Sequence, residues 1–183
     1  MKTLSLMLGA LLVFGCSGGK EDKAAKPAKK KVEAVKAKKA APKPAPVDVA
    51  KDAVKDDGKV VTVKLTGSDM MKYNLTEIKV AAGRTVKLTL THVGKMPLGA
   101  MGHNFVLLKA GTDVTAFANK AMTAKDSDYI PASEKASVLA STKTLGGGES
   151  DTIEFAAPAP GTYDYICSFP GHSSLMKGKL IVK

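Results

Sequence analysis

From Lys59 onward, apolar and polar residues alternate with a period near two in one short segment after another. Lys59–Thr66 (K-V-V-T-V-K-L-T), Glu77–Val80, Thr85–His92, Asp151–Phe155, Thr162–Cys167 and Lys177–Lys183 all follow this pattern. Successive side chains of an extended strand point to opposite faces, so the pattern predicts strands with one face buried and one wet. Turn-forming residues separate them: Gly67-Ser68-Asp69, Ala82-Gly83, Gly146-Gly147-Gly148 and Pro158-Ala159-Pro160-Gly161. Thr112–Thr123 is predicted instead as a short helix with Thr112 or Asp113 as its N-cap. Many short, half-buried antiparallel strands joined by polar turns specify an all-β sandwich or barrel of Greek-key type.

The chain before Lys59 has a different character. Met1-Lys2-Thr3 is a basic start, and Leu4–Phe14 is an apolar run of signal-peptide length. That run is too short to cross a bilayer, which takes about 20 residues, and a polytopic membrane protein is excluded. Gly15-Cys16-Ser17 follows. A small residue before Cys at this point resembles the lipobox of bacterial lipoproteins. The resemblance implies cleavage after residue 15 and fatty acylation (palmitate) of Cys16, which gives stable anchoring because several acyl chains insert together. The alternative is an ordinary secretory signal that happens to contain a Cys. Both readings export the protein. Ser17 fits sorting to the outer membrane, so the expected location is a lipid anchor there, facing the periplasm or the surface.

Residues 16–58 are expected to be a disordered tether. Ala25–Lys31 and Ala41–Pro46 are built from Ala, Lys and Pro, with no aromatic residue and few large aliphatics. Such a segment buries too little apolar surface to offset chain entropy. Val47–Val54 is expected to form at most a transient helical turn, ended by Asp56-Asp57-Gly58. The 42 residues from Ser17 to Gly58 would span about 36 Å as a flexible coil and about 130 Å fully extended. The charge lies unevenly: 13 Lys against 7 acids precede Gly58, out of 28 basic and 17 acidic residues in all. A nucleic-acid partner is not expected, because the basic segment is exported, diluted with Ala and Pro, and without an aromatic platform. It reads as a solvated spacer with a weak attraction to anionic membrane surfaces. Two cysteines, Cys16 and Cys167, exclude a disulfide-rich scaffold.

The last two predicted strands bracket the chemistry. Cys167-Ser168-Phe169-Pro170-Gly171-His172-Ser173-Ser174-Leu175-Met176 places a thiol, an imidazole and a thioether in one loop, Cys-x4-His-x3-Met. These are the soft and borderline ligands that bind copper. A trigonal set of two His and one Cys needs a second imidazole, and His103 in Met101-Gly102-His103-Asn104-Phe105 is the source expected. An inert buried thiol is the alternative for Cys167 alone, and core filling is the alternative for Met176. The joint spacing favours the metal.

With these residues in place, the domain resembles the azurins of the cupredoxin family, and the whole chain resembles a lipid-modified member. The likeness runs from about Gly67 to Lys183. It is carried by Met101-Gly102-His103-Asn104, Gly147–Glu149 and Cys167–Gly178, with four residues between Cys and His and three between His and Met. Auracyanins share the approach Tyr163–Cys167 but have a longer His-to-Met spacing, and stand as a close second subfamily. The resemblance implies an eight-stranded Greek-key β-sandwich over residues 59–183 with a helix-bearing insertion. It implies His103, Cys167 and His172 as strong in-plane copper ligands, with Met176 and the Gly102 carbonyl as weak axial ones. Asn104 would link the two ligand loops and Phe169 would pack beside the metal. Met71, Met96, Leu98, Ala100, Met101, Phe169 and Pro170 would form an apolar docking patch around His172, the electron exit.

Two departures accompany it. The disulfide that azurins usually carry is absent, and Phe105 replaces a buried Trp. His92 lies near the site in azurins without being a ligand, and would be a partly buried titrating group. The implied function is single-electron transfer by one copper cycling between copper(I) and copper(II), with no catalytic residue. Redox partners such as c-type cytochromes, nitrite reductase, an oxidase or a peroxidase are implied, as is a monomeric domain. Copper tolerance or a structural surface lipoprotein is the alternative, and zinc can occupy mixed imidazole and thiolate ligands.

Overall fold

The computed structural model describes residues 53–183. The expected signal peptide (1–15), the acylated Cys16 and most of the tether lie outside the described residues. Ten strand segments form two sheets among the described residues. The first sheet has the order β1-β2-β5-β8, with β3 also on β2. Its strands are β1 (Val54–Asp56), β2 (Val60–Ser68), β3 (Lys72–Tyr73), β5 (Thr85–His92) and β8 (Ser150–Ala156). The second has the order β4-β10-β9-β6-β7. Its strands are β4 (Glu77–Val80), β6 (Val106–Leu108), β7 (Val138–Ser141), β9 (Gly161–Ile166) and β10 (Lys177–Val182).

The two alternating patterns become the two inner faces. Val61, Val63 and Leu65 of β2 and Val86, Leu88, Leu90 and His92 of β5 point inward. Tyr163 and Tyr165 of β9 and Leu180 and Val182 of β10 meet them from the other sheet. Phe105 takes the centre, its ring 5.3 Å from Tyr165 and 6.5 Å from Phe155 between centroids. It fills the core as an apolar anchor. Asp113 caps α2 (Val114–Ala121) by accepting from the N–H groups of Thr115 and Ala116, which satisfies two of the donors a helix start leaves free. Phe117 and Ala121 seat this insertion on the core.

Several expectations are corrected. The sheets are not purely antiparallel: β2 pairs parallel with β5, and β4 with β10. The edge segments β1 and β3 raise the strand count above the expected eight. Strand β1 lies where the tether was expected to continue. Val54, Lys55 and Asp56 pair antiparallel with Val63, Thr62 and Val61. Asp56-Asp57-Gly58 acts as a hairpin turn and not as a terminator. Asp57 Oδ1 accepts from the N–H groups of Lys59 and Val60 at 2.9 and 2.7 Å, and Gly58 sits at φ 90°, where Gly has no steric penalty. Strand β6 shows no alternation because Val106, Leu107 and Leu108 are all buried.

Candidate metal centre

Four connections converge at one end of the sandwich. They are the end of β2 with the turn after it (Gly67–Met71) and the connections that follow β5 (Val93–Gly102), β7 (Thr142–Glu149) and β9 (Cys167–Met176). Their packing is tight enough to require glycine. A Cβ on Gly67 would lie 2.9 Å from His103 Cδ2 and 3.2 Å from Met176 Cε. A Cβ on Gly102 would enter the Phe169 ring, and one on Gly147 the Lys95 backbone.

Hydrogen bonds hold the loops in register. Asp69 accepts from the N–H groups of Lys95 (2.8 Å) and Met96 (3.3 Å). Gly147 N–H donates to the Met96 carbonyl, and Gly148 N–H to the His92 carbonyl. The short helix α1 (Leu98–Met101) then leads into Gly102 in an extended conformation. His103 forms a bridge with Leu145, their N–H groups donating reciprocally at 3.0 and 2.7 Å. Asn104 spans to the other ligand loop. Its Oδ1 accepts from Ser168 N–H (2.8 Å) and its Nδ2 donates to Ser168 Oγ (2.8 Å) and the Asp128 carbonyl (2.7 Å).

His103, Cys167 and His172 are buried, and their ligand atoms all lie within 4.8 Å of one another. Cys167 Sγ is 3.6 Å from His172 Nδ1 and 3.8 Å from the Gly102 carbonyl oxygen. One ion with metal–nitrogen and metal–sulfur bonds of about 2.0 and 2.3 Å, at angles of roughly 109–120°, leaves about 3.5–3.8 Å between the two ligand atoms. The separation therefore suits a shared ion. His103 Nε2 donates to the Ser68 carbonyl at 2.9 Å, which fixes the tautomer. His103 Nδ1 is buried with no hydrogen-bond partner. A buried polar atom without a partner is costly unless something fills the place, and a lone pair aimed at a thiol and a second imidazole is what a metal uses. Met176 is fully buried, and its N–H donates to the His172 carbonyl at 2.8 Å while its own carbonyl accepts from Cys167 N–H at 2.9 Å.

The electrostatics keep every ligand neutral before a metal arrives. Burial pushes the Cys167 thiol up to about 11, opposed by the backbone N–H groups of Asn104 and Phe169. Burial likewise depresses the His172 imidazole to about 4, with His103 and His92 adding to the effect. His103 is lowered by burial, against the pull of the Ser68 carbonyl. Neutral imidazoles are the binding form, and only the thiol has a proton to lose.

His92 stacks on His103, with centroids 4.2 Å apart. Its Nδ1 accepts from Gly94 N–H at 3.0 Å and its Nε2 donates to the Met101 carbonyl at 2.8 Å. Both nitrogens are used, which leaves none for a metal.

The apolar surface differs from the expectation in detail. Met96 (38% exposed), Leu98 (37%) and Ala100 are exposed, and Met71, Met101 and Pro170 partly so. Phe169 is buried: its ring is wedged between Tyr129 (5.0 Å) and His172 (4.7 Å), so it supports the site from within. Exposed Leu175 (57%) was not anticipated. Its place directly before Met176 in the ligand loop was the available signal.

The chain matches the family of copper binding proteins, plastocyanin/azurin family, over residues 59–183. It is 38% identical over 126 residues to azurin of Pseudomonas chlororaphis, covering 66% of this chain and 97% of that protein. It is 40% identical over 116 residues to Outer membrane protein H.8 of Neisseria gonorrhoeae, covering 62% of each chain. Among solved structures it is similar to an azurin from the methylotroph Methylomonas sp. strain J (TM-score 0.60, 35% identity, 67% of this chain and 97% of that one). It is equally similar in fold to auracyanin A of Chloroflexus aurantiacus (TM-score 0.62, 33% identity, 68% of this chain and 99% of that one). With a match of this extent, and with a buried imidazole nitrogen aimed at a thiol and a second imidazole, the chain belongs to the plastocyanin/azurin family of copper-binding proteins.

Proposed function

We propose that this protein is a blue-copper electron carrier tethered to a membrane through an acylated Cys16. The observation that carries the reading is the buried cluster of His103, Cys167 and His172, whose ligand atoms lie within 4.8 Å of one another, together with a His103 Nδ1 that is buried and unpartnered. His103, Cys167 and His172 would hold the ion, with Met176 and the Gly102 carbonyl as weaker donors. Bound copper supplies a one-electron couple between copper(I) and copper(II). The protein supplies constancy. The ligand loops are cross-linked by Asn104 and packed against Gly67 and Gly102, so the donor atoms keep their places in either oxidation state and reorganisation is small. N–H groups facing the sulfur and the apolar packing around it tune the potential.

Electrons would leave through His172, which is 4% exposed, and the exposed apolar residues Met96, Leu98, Ala100 and Leu175 of the site-bearing loops would supply the docking contact. Transient redox encounters need only a small apolar contact. An exported, membrane-held carrier of this kind would serve redox proteins such as c-type cytochromes or a reductase. The spacer before residue 53 would set the reach of a monomeric folded domain above the lipid.

The test is an absorption spectrum of the full chain purified in detergent and loaded with copper(II). An intense visible band that bleaches with ascorbate, and that Cys167→Ser lacks, is expected. A folded, copper-loaded protein without such a band refutes the carrier. Mass spectrometry of the N-terminus decides the anchor separately: acyl groups on Cys16 support it, and an unmodified or uncleaved terminus refutes it.

A further inference from the structure

Strand β3 contributes Tyr73, buried in the core, with its ring 5.8 Å from Tyr165 between centroids. Its hydroxyl donates to the main-chain carbonyl of Asn104. A phenylalanine would fill the same space, so the hydroxyl must be explained by what it holds. A buried phenol left unpaired is costly, and here its partner lies between His103 and Phe105. The flanking residues are already anchored. His103 is bridged to Leu145, and Phe105 N–H donates to Thr142 Oγ1 at 2.9 Å while its carbonyl accepts from Thr142 N–H at 3.0 Å. The Asn104 carbonyl lies between these anchors and receives its hydrogen bond from Tyr73.

Asn104 is the junction of the site. Its main-chain N–H favours the thiolate of Cys167 against the push of burial, and its side chain holds Ser168, the residue after Cys167, on the opposite loop. We propose that Tyr73 is a positioning residue of the copper centre: its hydroxyl, through the Asn104 carbonyl, keeps the Asn104 N–H aimed at the Cys167 sulfur and so raises the reduction potential. The inference rests on the copper reading above. A donor aimed at the sulfur draws electron density from it, weakens its donation to the oxidised metal, and favours copper(I). Burial holds the phenol proton well above its ordinary range, so the group remains a donor across the working pH.

Tyr165 provides an internal control. It is also buried in the core, packs on both Tyr73 and Phe105, and donates its hydroxyl to the Leu75 carbonyl at 2.7 Å, away from Asn104. Removing either hydroxyl deletes one oxygen from the same core, but only one of the two is bonded to Asn104.

The experiment compares Tyr73→Phe with Tyr165→Phe in the full chain. Three quantities are read: the copper reduction potential, the visible charge-transfer band, and amide hydrogen exchange at Asn104 in the metal-free protein. Tyr73→Phe is expected to lower the potential, move the band and speed Asn104 exchange. Tyr165→Phe is expected to lower the melting temperature while keeping the wild-type potential, band and Asn104 exchange. A Tyr73→Phe protein with wild-type potential and exchange overturns the inference. So does an equal shift in both variants, which would be general loosening of the core. A wild-type chain without a blue band is a failure of the copper reading itself, and Asn104 exchange in the metal-free variants then still reports whether Tyr73 holds that residue. If Tyr73→Phe does not fold, a ring-fluorinated tyrosine in place of Tyr73 keeps the packing and strengthens the donor. Slower Asn104 exchange with a higher potential is then expected, and no change in either overturns the proposal.

Discussion

Replacing Asn104 with alanine removes three hydrogen bonds at once, two of them fully buried. The lost bonds are Ser168 N–H to Oδ1 at 2.8 Å, and Nδ2 to Ser168 Oγ and to the Asp128 carbonyl at 2.8 and 2.7 Å. Each is worth about 0.5–1.5 kcal/mol net. Ser168 is only 1% exposed, so its N–H cannot turn to water, and an unsatisfied buried donor adds about 1–3 kcal/mol. The expected loss is about 3–5 kcal/mol, against a total stability of about 5–15 kcal/mol for an ordinary domain. Urea unfolding of the metal-free chain measures it without any contribution from the metal. Ser168→Ala removes only the hydroxyl bond and should cost about 1 kcal/mol. In the double variant the two losses should fall short of their sum, because they share a bond. A loss below about 1 kcal/mol for Asn104→Ala would refute the view that this side chain cross-links the two ligand loops.

Other outcomes follow from the same geometry. Gly67→Ala would place a Cβ 2.9 Å from His103 Cδ2 and 3.2 Å from Met176 Cε; it should cost about 1–3 kcal/mol by overpacking and shift the copper potential, read by thermal melting and voltammetry. Copper(II) loading near neutral pH should release about one proton per metal, from the Cys167 thiol that burial holds up to about 11, and calorimetry in two buffers should find no such proton in Cys167→Ser. The metal-free protein should lose stability as pH falls from 6.5 towards 4. In that window the unfolded chain takes up a proton at His172 near the ordinary value of 6.5, whereas burial holds the folded imidazole at about 4. The unfolded state then binds more protons. Allowing for solvent at the ring edge, this contributes about 2 kcal/mol, and denaturant titrations at several pH values should show the slope flattened in His172→Gln.

The sequence by itself determined the features that depend on near neighbours. Period-two alternation marked β2, β4, β5, β8, β9 and β10, because one face of each meets the core and the other meets water. The start of α2 was legible to within a residue, with Thr112 or Asp113 as N-cap, and the structure uses Asp113. The spacing of Cys167, His172 and Met176 was readable because one loop, closed by the Met176 N–H on the His172 carbonyl, carries all three. Tertiary structure decided the rest. Strand β6, in the stretch that follows His103, carries no alternation to fix its bounds, because Val106, Leu107 and Leu108 are all buried. Alternation also cannot distinguish a parallel partner from an antiparallel one, so the β2·β5 and β4·β10 pairings were unreadable. Strand β1 escaped notice because Asp57 and Gly58 form a hairpin only when β2 is present to be paired. His92 and His103 look alike in sequence, each a single imidazole at one end of a strand segment. Resemblance alone set His92 aside. The physical difference is that loop packing occupies both His92 nitrogens and leaves Nδ1 of His103 unpaired, facing a cysteine that only the fold brings near.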